Sequence, residues 1–165
     1  MTTFELAGAS DAEAIGRFQT RCWEQTYRGV VPDSYLDTTT WQVRALRWRE
    51  RISRGERRVW MARSFAGLIG VASTAPTSSH RNDLPALELC SIYVDVGAHG
   101  TGVAAGLLRA TIGRDAAHLL VFTLNARAQN FYTKHGFAPT GEVQTDPDTN
   151  LEEQRWVRPA TAPRP

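Results

Sequence analysis

Leu87-Glu-Leu-Cys-Ser-Ile-Tyr-Val-Asp-Val96, then Gly97-Ala-His-Gly-Thr-Gly102, then Val103-Ala-Ala-Gly-Leu-Leu108 is the stretch from which the rest of the chain can be read. Its first part is apolar, β-branched and aromatic, and reads as a buried strand. Its middle is a glycine-rich turn. Its last part forms helix readily, with Val103, Leu107 and Ala110 at i, i+4 and i+7. A strand that runs through glycines into a helix has a physical use. The first helical turn carries N–H groups without intrahelical partners, and the helix dipole is positive there. Gly100 and Gly102 have no Cβ, so an anion can come close to that backbone. A phosphate or pyrophosphate is the ligand that suits such a place.

Two motifs compete for the turn. Gly100-x-Gly102-x-x-Ala105 fits the dinucleotide fingerprint, but that fingerprint belongs in a first strand–helix–strand unit with an acidic residue about 20 positions on. Here it lies past the middle of the chain, and the next strand ends in Asn125. His99-x-x-Gly102-x-Ala104 instead resembles the acetyl-CoA-binding motif of the GNAT acyltransferase superfamily, Arg/Gln-x-x-Gly-x-Gly/Ala, with His99 at the Arg/Gln position. A second stretch, Asn125-Ala-Arg-Ala-Gln-Asn-Phe-Tyr-Thr-Lys-His-Gly-Phe137, closely resembles the second GNAT signature, Asn-x-x-Ala-x-x-Phe-Tyr-x-x-x-Gly-Phe. Trp23-x-x-Thr-Tyr27, Pro32 and Tyr35-Leu36 are similar to one GNAT subgroup. Two motifs in order, about 20 residues apart, are more specific than either alone.

The resemblance implies an α/β fold with a mixed, centrally splayed sheet of about seven strands flanked by helices. It implies an N-acetyltransferase that moves an acetyl group from acetyl-CoA directly to a primary amine. The turn residues His99, Gly100, Thr101, Gly102, Val103 and Ala104 would hold the acetyl-CoA phosphates. Ile92, Tyr93 and Val94 would present backbone groups to its arm and to the thioester oxygen, and Asn125 would contact the arm. Tyr132 would be the general acid, since a phenol of pKa about 10 can protonate a thiolate of pKa about 8.5. The acceptor amine must be neutral to attack, and a lysine-like amine is neutral in about one molecule in 2,500 at pH 7. Glu88 is the candidate base, on one face with Cys90, Ile92 and Val94 if the strand alternates unbroken. The family often bulges this strand, which would shift that face by one. Glu24 is a second candidate base. Cys90 as an acyl carrier has no neighbour in sequence to depress its thiol pKa. A non-catalytic acetyl-CoA-binding domain of the same fold is the rival from another class.

Composition bounds the partners. At 165 residues with 42% apolar residues, five Trp and six Phe, residues 1–158 suffice for one domain. Residues 159–165, rich in proline, are expected to be a disordered tail. A net charge of +2 does not point to nucleic acid. Cys22 and Cys90 have no metal-binding spacing and suit a reducing cytoplasm as free thiols. No run is long enough for a bilayer and no leader pattern opens the sequence. The partners expected are acetyl-CoA and a small-molecule or peptide amine, in a monomer or homodimer, with no metal.

Along the chain the spacing predicts a strand over 3–6 and a helix over 11–25 opened by a Ser10-x-x-Glu13 capping box. A short helix from Pro32 and a helix over 40–54 follow, the latter burying Trp41, Ala45, Trp48 and Ile52, with Arg44, Arg47, Arg51 and Arg54 as a solvated flank or a basic edge toward CoA. Strands over 59–63 and 68–75 form a hairpin. A polar loop over 76–85 is a candidate pocket wall. Beyond the quoted stretch come a strand over 119–124, a helix over 126–135 capped by Asn125 and ended by Gly136, and strands over 137–142 and 152–157. A right-handed crossover should lay the strand after the Gly102 helix parallel to the strand before it.

Overall fold

The computed structural model describes residues 1–161. Seven strands form a single sheet: β1 (Thr3–Leu6), β2 (Arg58–Ser64), β3 (Gly67–Pro76), β4 (Leu87–Val94), β5 (Ala117–Phe122), β6 (Ala138–Thr145) and β7 (Glu152–Arg158). Their order across the sheet is β1-β2-β3-β4-β5-β7-β6. Every neighbouring pair is antiparallel except β4 and β5, which run parallel as the crossover rule requires. That pair meets at one register position, Glu88 opposite His118. From there toward Val94 the two strands part, and the splay opens the sheet at its centre.

Helices cover both faces. α1 (Ala12–Tyr27), α2 (Asp33–Thr38) and α3 (Trp41–Ser53) lie on one side. Ile15, Phe18 and Cys22 of α1 and Trp48 of α3 pack there on Val59, Met61 and Val71. α4 (Val103–Thr111) and α5 (Ala126–Lys134) cover the other side. Leu108 of α4, Ile112 at its C-cap and Tyr132 of α5 pack there with Leu89, Leu119, Val121 and Trp156.

Several local expectations change. The Ser10–Glu13 capping box does not form. Residues Ala9–Asp11 make a 3-10 turn in which the Asp11 carboxylate accepts from the Gly8 N–H at 2.9 Å, and Glu13 is drawn instead to Arg17 at 3.0 Å. β5 is displaced from the expected 119–124: it begins at Ala117, which pairs with Arg158 of β7, and it ends at Phe122 because Thr123 and Leu124 turn into the α5 cap, with Asn125 N–H donating to Phe122 O at 3.0 Å. Arg44 is not solvated. It is 3% exposed, and its guanidinium donates to Thr39 O just past the end of α2 and lies 5.4 Å from the Trp23 ring. The C-terminal tail expected over 159–165 falls partly outside the described residues. Within them, Thr161 N–H donates to Arg114 O at 2.9 Å.

The face reading of β4 also shifts. Ser91 pairs with Ser73 and Leu89 with Thr74, so Cys90 is an extra residue, a bulge. Cys90 and Ser91 therefore share a side. Leu89, Ile92 and Val94 face α4 and α5, where they join the cores of that face. Glu88 sits with Cys90, Ser91 and Tyr93 on the side of α1 and α3, not with Ile92 and Val94.

Candidate active site

The opening between β4 and β5 holds two adjoining cavities. The larger, about 520 Å³, runs from Ile92–Val94 past Ala98, His99, Gly100 and Gly102 to the start of α4, and its far wall is α5. The smaller, about 220 Å³, lies toward α1 and β7. They share Tyr27, Ile92, Tyr93, Asn125, Ala128 and Tyr132, so these residues form the junction.

The turn before α4 has the form an anion needs. After β4 a 3-10 turn over Val96–Ala98 is capped by Asp95, whose side chain accepts from Gly97 N–H at 2.9 Å. Gly100 and Gly102 then take φ of +78° and +87°, a region that side chains with a Cβ adopt at a cost. The first helical bond is Gly106 N–H to Gly102 O at 2.9 Å. Among the described residues, the N–H groups of Gly100, Gly102, Val103, Ala104 and Ala105 have no acceptor. Gly100, Gly102, Val103, Ala104 and Ala105 also line the larger cavity. Thr101 does not: it is exposed, and its hydroxyl donates to Ala98 O at 2.6 Å.

His99 lines the same cavity, but its Nε2 donates back to Val94 O at 3.0 Å. The imidazole therefore ties the turn to the end of β4. Positive charge on this wall comes from α5. Arg127 and Lys134 both line the cavity, seven residues apart and so on one side of the helix. Sequence reasoning gave neither a role, although that spacing was visible.

α5 is set by Asn125. Its Oδ1 accepts from Ala128 N–H at 3.1 Å as the N-cap, and its Nδ2 donates to the Tyr27 hydroxyl at 2.9 Å. Tyr27 is the larger omission. It ties α1 to α5 at the junction and lies 4.7 Å from Trp23 and 5.6 Å from Phe122, ring to ring. Burial raises its phenol pKa to about 12.

Tyr132 is 9% exposed, held between Phe131 and Phe137 at 5.4 and 5.6 Å. Its hydroxyl has no protein partner among the described residues, yet it is not among the polar atoms sealed in the interior. It opens onto the cavities that the residue lines. Burial pushes its phenol pKa well above the usual value, so it is a neutral proton carrier at ordinary pH.

The carboxylates divide sharply. Glu88 lines the smaller cavity with no ion pair or hydrogen bond to its carboxylate among the described residues. Glu24 lines neither cavity: Arg28 holds both its oxygens, at 2.6 and 2.9 Å, and also bonds Asp33 and Asp37 at 3.1 Å, which staples α1 to α2. Glu24 is thus removed as a candidate base. Glu153 of β7, missed in the sequence, lines the smaller cavity and accepts from Gln144 Nε2 at 2.7 Å. Burial, chiefly, raises its pKa, with Asp146 and Glu88 adding to the shift. Burial also raises the thiol pKa of Cys90 to about 11 and that of Cys22 to about 12, which makes both poor nucleophiles. The α3 arginines lie on the opposite side of the sheet from α4 and do not line the larger cavity.

A parallel pair splayed beside a row of backbone N–H groups without acceptors defines an α/β protein with a place for a phosphate-bearing carrier in mid-sheet and room for a second reactant beyond it. A family model, "Acetyltransferase (GNAT) domain", matches residues 24–148, and the chain belongs to this family of acetyltransferases. The uncharacterized N-acetyltransferase of Mycobacterium tuberculosis H37Rv is 30% identical over 118 residues, covering 68% of this chain and 72% of that one. PaiA N-acetyltransferase from Thermoplasma acidophilum, in complex with coenzyme A, superposes with a TM-score of 0.66 at 17% identity, over 93% of this chain and 98% of that one. The structure of yncA from Salmonella typhimurium with its cofactor acetyl-CoA gives a TM-score of 0.70 at 19% identity, over 100% and 98%. No helix among the described residues is long and apolar enough to cross a membrane.

Proposed function

We propose that this chain transfers an acetyl group from acetyl-CoA directly to the primary amine of a small molecule or peptide, with Tyr132 as general acid and Glu88 as general base. The observation that carries the reading is the Tyr132 hydroxyl, unpartnered at the place where the two cavities meet.

The residues fit the cosubstrate. The five unpartnered N–H groups from Gly100 to Ala105 suit a pyrophosphate, and Arg127 and Lys134 supply positive charge on the facing wall. Acetyl-CoA brings the activated thioester; the chain supplies positions and protons. The free edge of β4 from Ile92 to Val94 offers backbone groups to the pantetheine arm and an N–H to the thioester oxygen as it gains charge. Glu88 takes one proton from the acceptor ammonium, directly or through a water, so that the nitrogen lone pair can attack the carbonyl carbon. As the N–C bond forms and the C–S bond breaks, Tyr132 gives its proton to the departing sulfur. The nitrogen loses its second proton, and the Tyr132 phenolate regains one. The sum is amine and acetyl-CoA to amide and CoA thiol, with no acyl-enzyme. The raised thiol pKa of Cys90 agrees with that.

The test is release of CoA thiol from acetyl-CoA across a panel of amines, with the acetylated product identified by mass. Binding of acetyl-CoA with no thiol released by any amine would make the chain a binding domain instead.

A further inference from the structure

The smaller cavity has a charge pattern that transfer to an amine does not by itself require. Its walls carry two carboxylates, Glu88 from β4 and Glu153 from β7, and no lysine or arginine. The basic side chain nearest in sequence, Arg155, is 7% exposed and already donates to Glu142 at 3.3 Å and to His118 Nδ1 at 2.8 Å. Glu153 is met by a neutral amide, Gln144, and Glu88 by nothing. Four aromatic residues, Trp23, Tyr27, Tyr93 and Phe122, stand in the same wall among aliphatic and small polar ones. Tyr132, whose unpartnered hydroxyl belongs to a side chain nine-tenths buried, lines the same space and marks it as a place for a ligand.

On the reading of the cleft as an acetyl-transfer site, we infer that its acceptor carries a second positive charge: an α,ω-diamine or longer polyamine, not an amine bearing a carboxylate. The argument is one of charge balance. The reacting nitrogen must give up its proton, and Glu88 becomes neutral by taking it. Glu153 stays charged in a half-buried place, where an uncompensated carboxylate is costly. A distal ammonium that never reacts compensates it throughout. The aromatic faces suit the methylene chain between the two nitrogens and attract the cation itself. An acceptor carboxylate would meet two like charges and no cation.

The experiment compares 1,5-diaminopentane, 1-aminopentane and 5-aminopentanoate as acceptors in the thiol-release assay. The diamine should exceed the monoamine in kcat/KM by about tenfold or more, the scale of one partly desolvated charge pair, and the amino acid should fall below both. In Glu153→Gln the diamine-to-monoamine ratio should collapse toward one. Circular dichroism and acetyl-CoA affinity of that variant check that it is folded. Equal use of the three acceptors, or a diamine preference that survives Glu153→Gln, overturns the inference and leaves acetyl transfer standing. If no acceptor releases thiol, calorimetric titration of each into the CoA-loaded protein decides separately. Selective uptake of the diamine supports the cleft as a site for a dication while the catalytic reading falls; unselective or absent uptake overturns both.

Discussion

In its proposed role as general acid, the Tyr132 phenol must stay protonated until the departing sulfur becomes basic. Burial between Phe131 and Phe137 secures the first condition, since the phenolate is disfavoured there. A thiolate leaving in the same poorly solvated cleft is a stronger base than in water, which meets the second. Tyr132→Phe keeps the ring and its packing. Its kcat should fall by about 10²–10⁴ with little change in acetyl-CoA affinity, the mark of an interaction used only in the transition state. The pH–rate profile should also lack a basic limb from this group below about pH 10. Wild-type turnover in the variant would return Tyr132 to packing alone. His99 acts differently. Its Nε2 is committed to Val94 O, so the side chain ties the turn to β4 and that nitrogen is not offered to a phosphate. His99→Ala should weaken acetyl-CoA binding by about one hydrogen bond, 0.5–1.5 kcal/mol, by calorimetry. A loss well beyond that would mean direct contact with the cosubstrate. What sequence could not supply at this scale was partnership. Glu24 and Glu88 look alike as residues, and only the fold reveals that Arg28 consumes the first.

Among the elements, α4 and α5 were legible because each begins with chemistry that has one structural use. Gly102 at φ +87° opens α4, and Asn125 caps α5 through Ala128 N–H. A bulge in β4 was expected from the family resemblance, but its position was not legible. Nothing about Cys90 and Ser91, two small neighbours, tells which is the extra residue, and the pairing of Ser73 with Ser91 through a 2.7 Å hydroxyl contact decides it. The cradle can be tested as an element. A Cβ built at Gly102 would meet nothing within 4 Å, so substitution there costs backbone strain, about 1–2 kcal/mol, and no clash. Gly102→Asp should fold yet lose acetyl-CoA affinity by more than about tenfold, because its carboxylate would stand among the unpartnered N–H groups proposed to hold phosphate. Gly102→Asn, which adopts this backbone more easily and adds no charge, should lose much less. Equal affinity in Gly102→Asp and wild type, measured by calorimetry, would move the phosphate site elsewhere.

Over the whole molecule, the parallel centre followed from the crossover rule and the β2–β3 pairing from the hairpin, but the placing of β7 between β5 and β6 and the joining of distant segments at the cleft did not. Residues 98 positions apart, Tyr27 and Asn125, meet there, and Glu153 arrives from the last strand. A second long-range assembly flanks the cleft and fixes the loop over 77–86. His118, 2% exposed and opposite Glu88, is its hub. Arg155 can only donate, so His118 Nδ1 accepts from it at 2.8 Å and the ring proton lies on Nε2, which donates to Thr77 Oγ1 at 2.8 Å. Thr77 Oγ1 in turn donates to Pro85 O at 2.5 Å. Arg155 continues to Glu142, and Glu142 to Arg81 at 2.7 Å, which also holds Asp83 at 2.9 Å. Protonating Nδ1 would aim an N–H at a guanidinium. Burial, chiefly, keeps the imidazole pKa below its usual value; the Glu88 charge opposes that and the Arg155 charge reinforces it. The sign is then fixed. The unfolded chain takes the proton near pH 6.5 and the folded chain only below that, so the neutral ring's contribution is complete above about pH 6.5 and declines as pH falls toward the folded value. Glu142 and Asp83, whose pKa values are lowered first by Arg81, lose their contributions further down, as pH falls through the carboxylate range. Glu153, raised by burial, works in the opposite sense. Urea midpoints measured from pH 8 to pH 5 should therefore fall on the acid side of about 6.5, ahead of any carboxylate effect. His118→Gln, which can accept from Arg155 and donate to Thr77 without titrating, should flatten that part of the curve. A midpoint that declines equally in the variant would place the acid-sensitive group elsewhere.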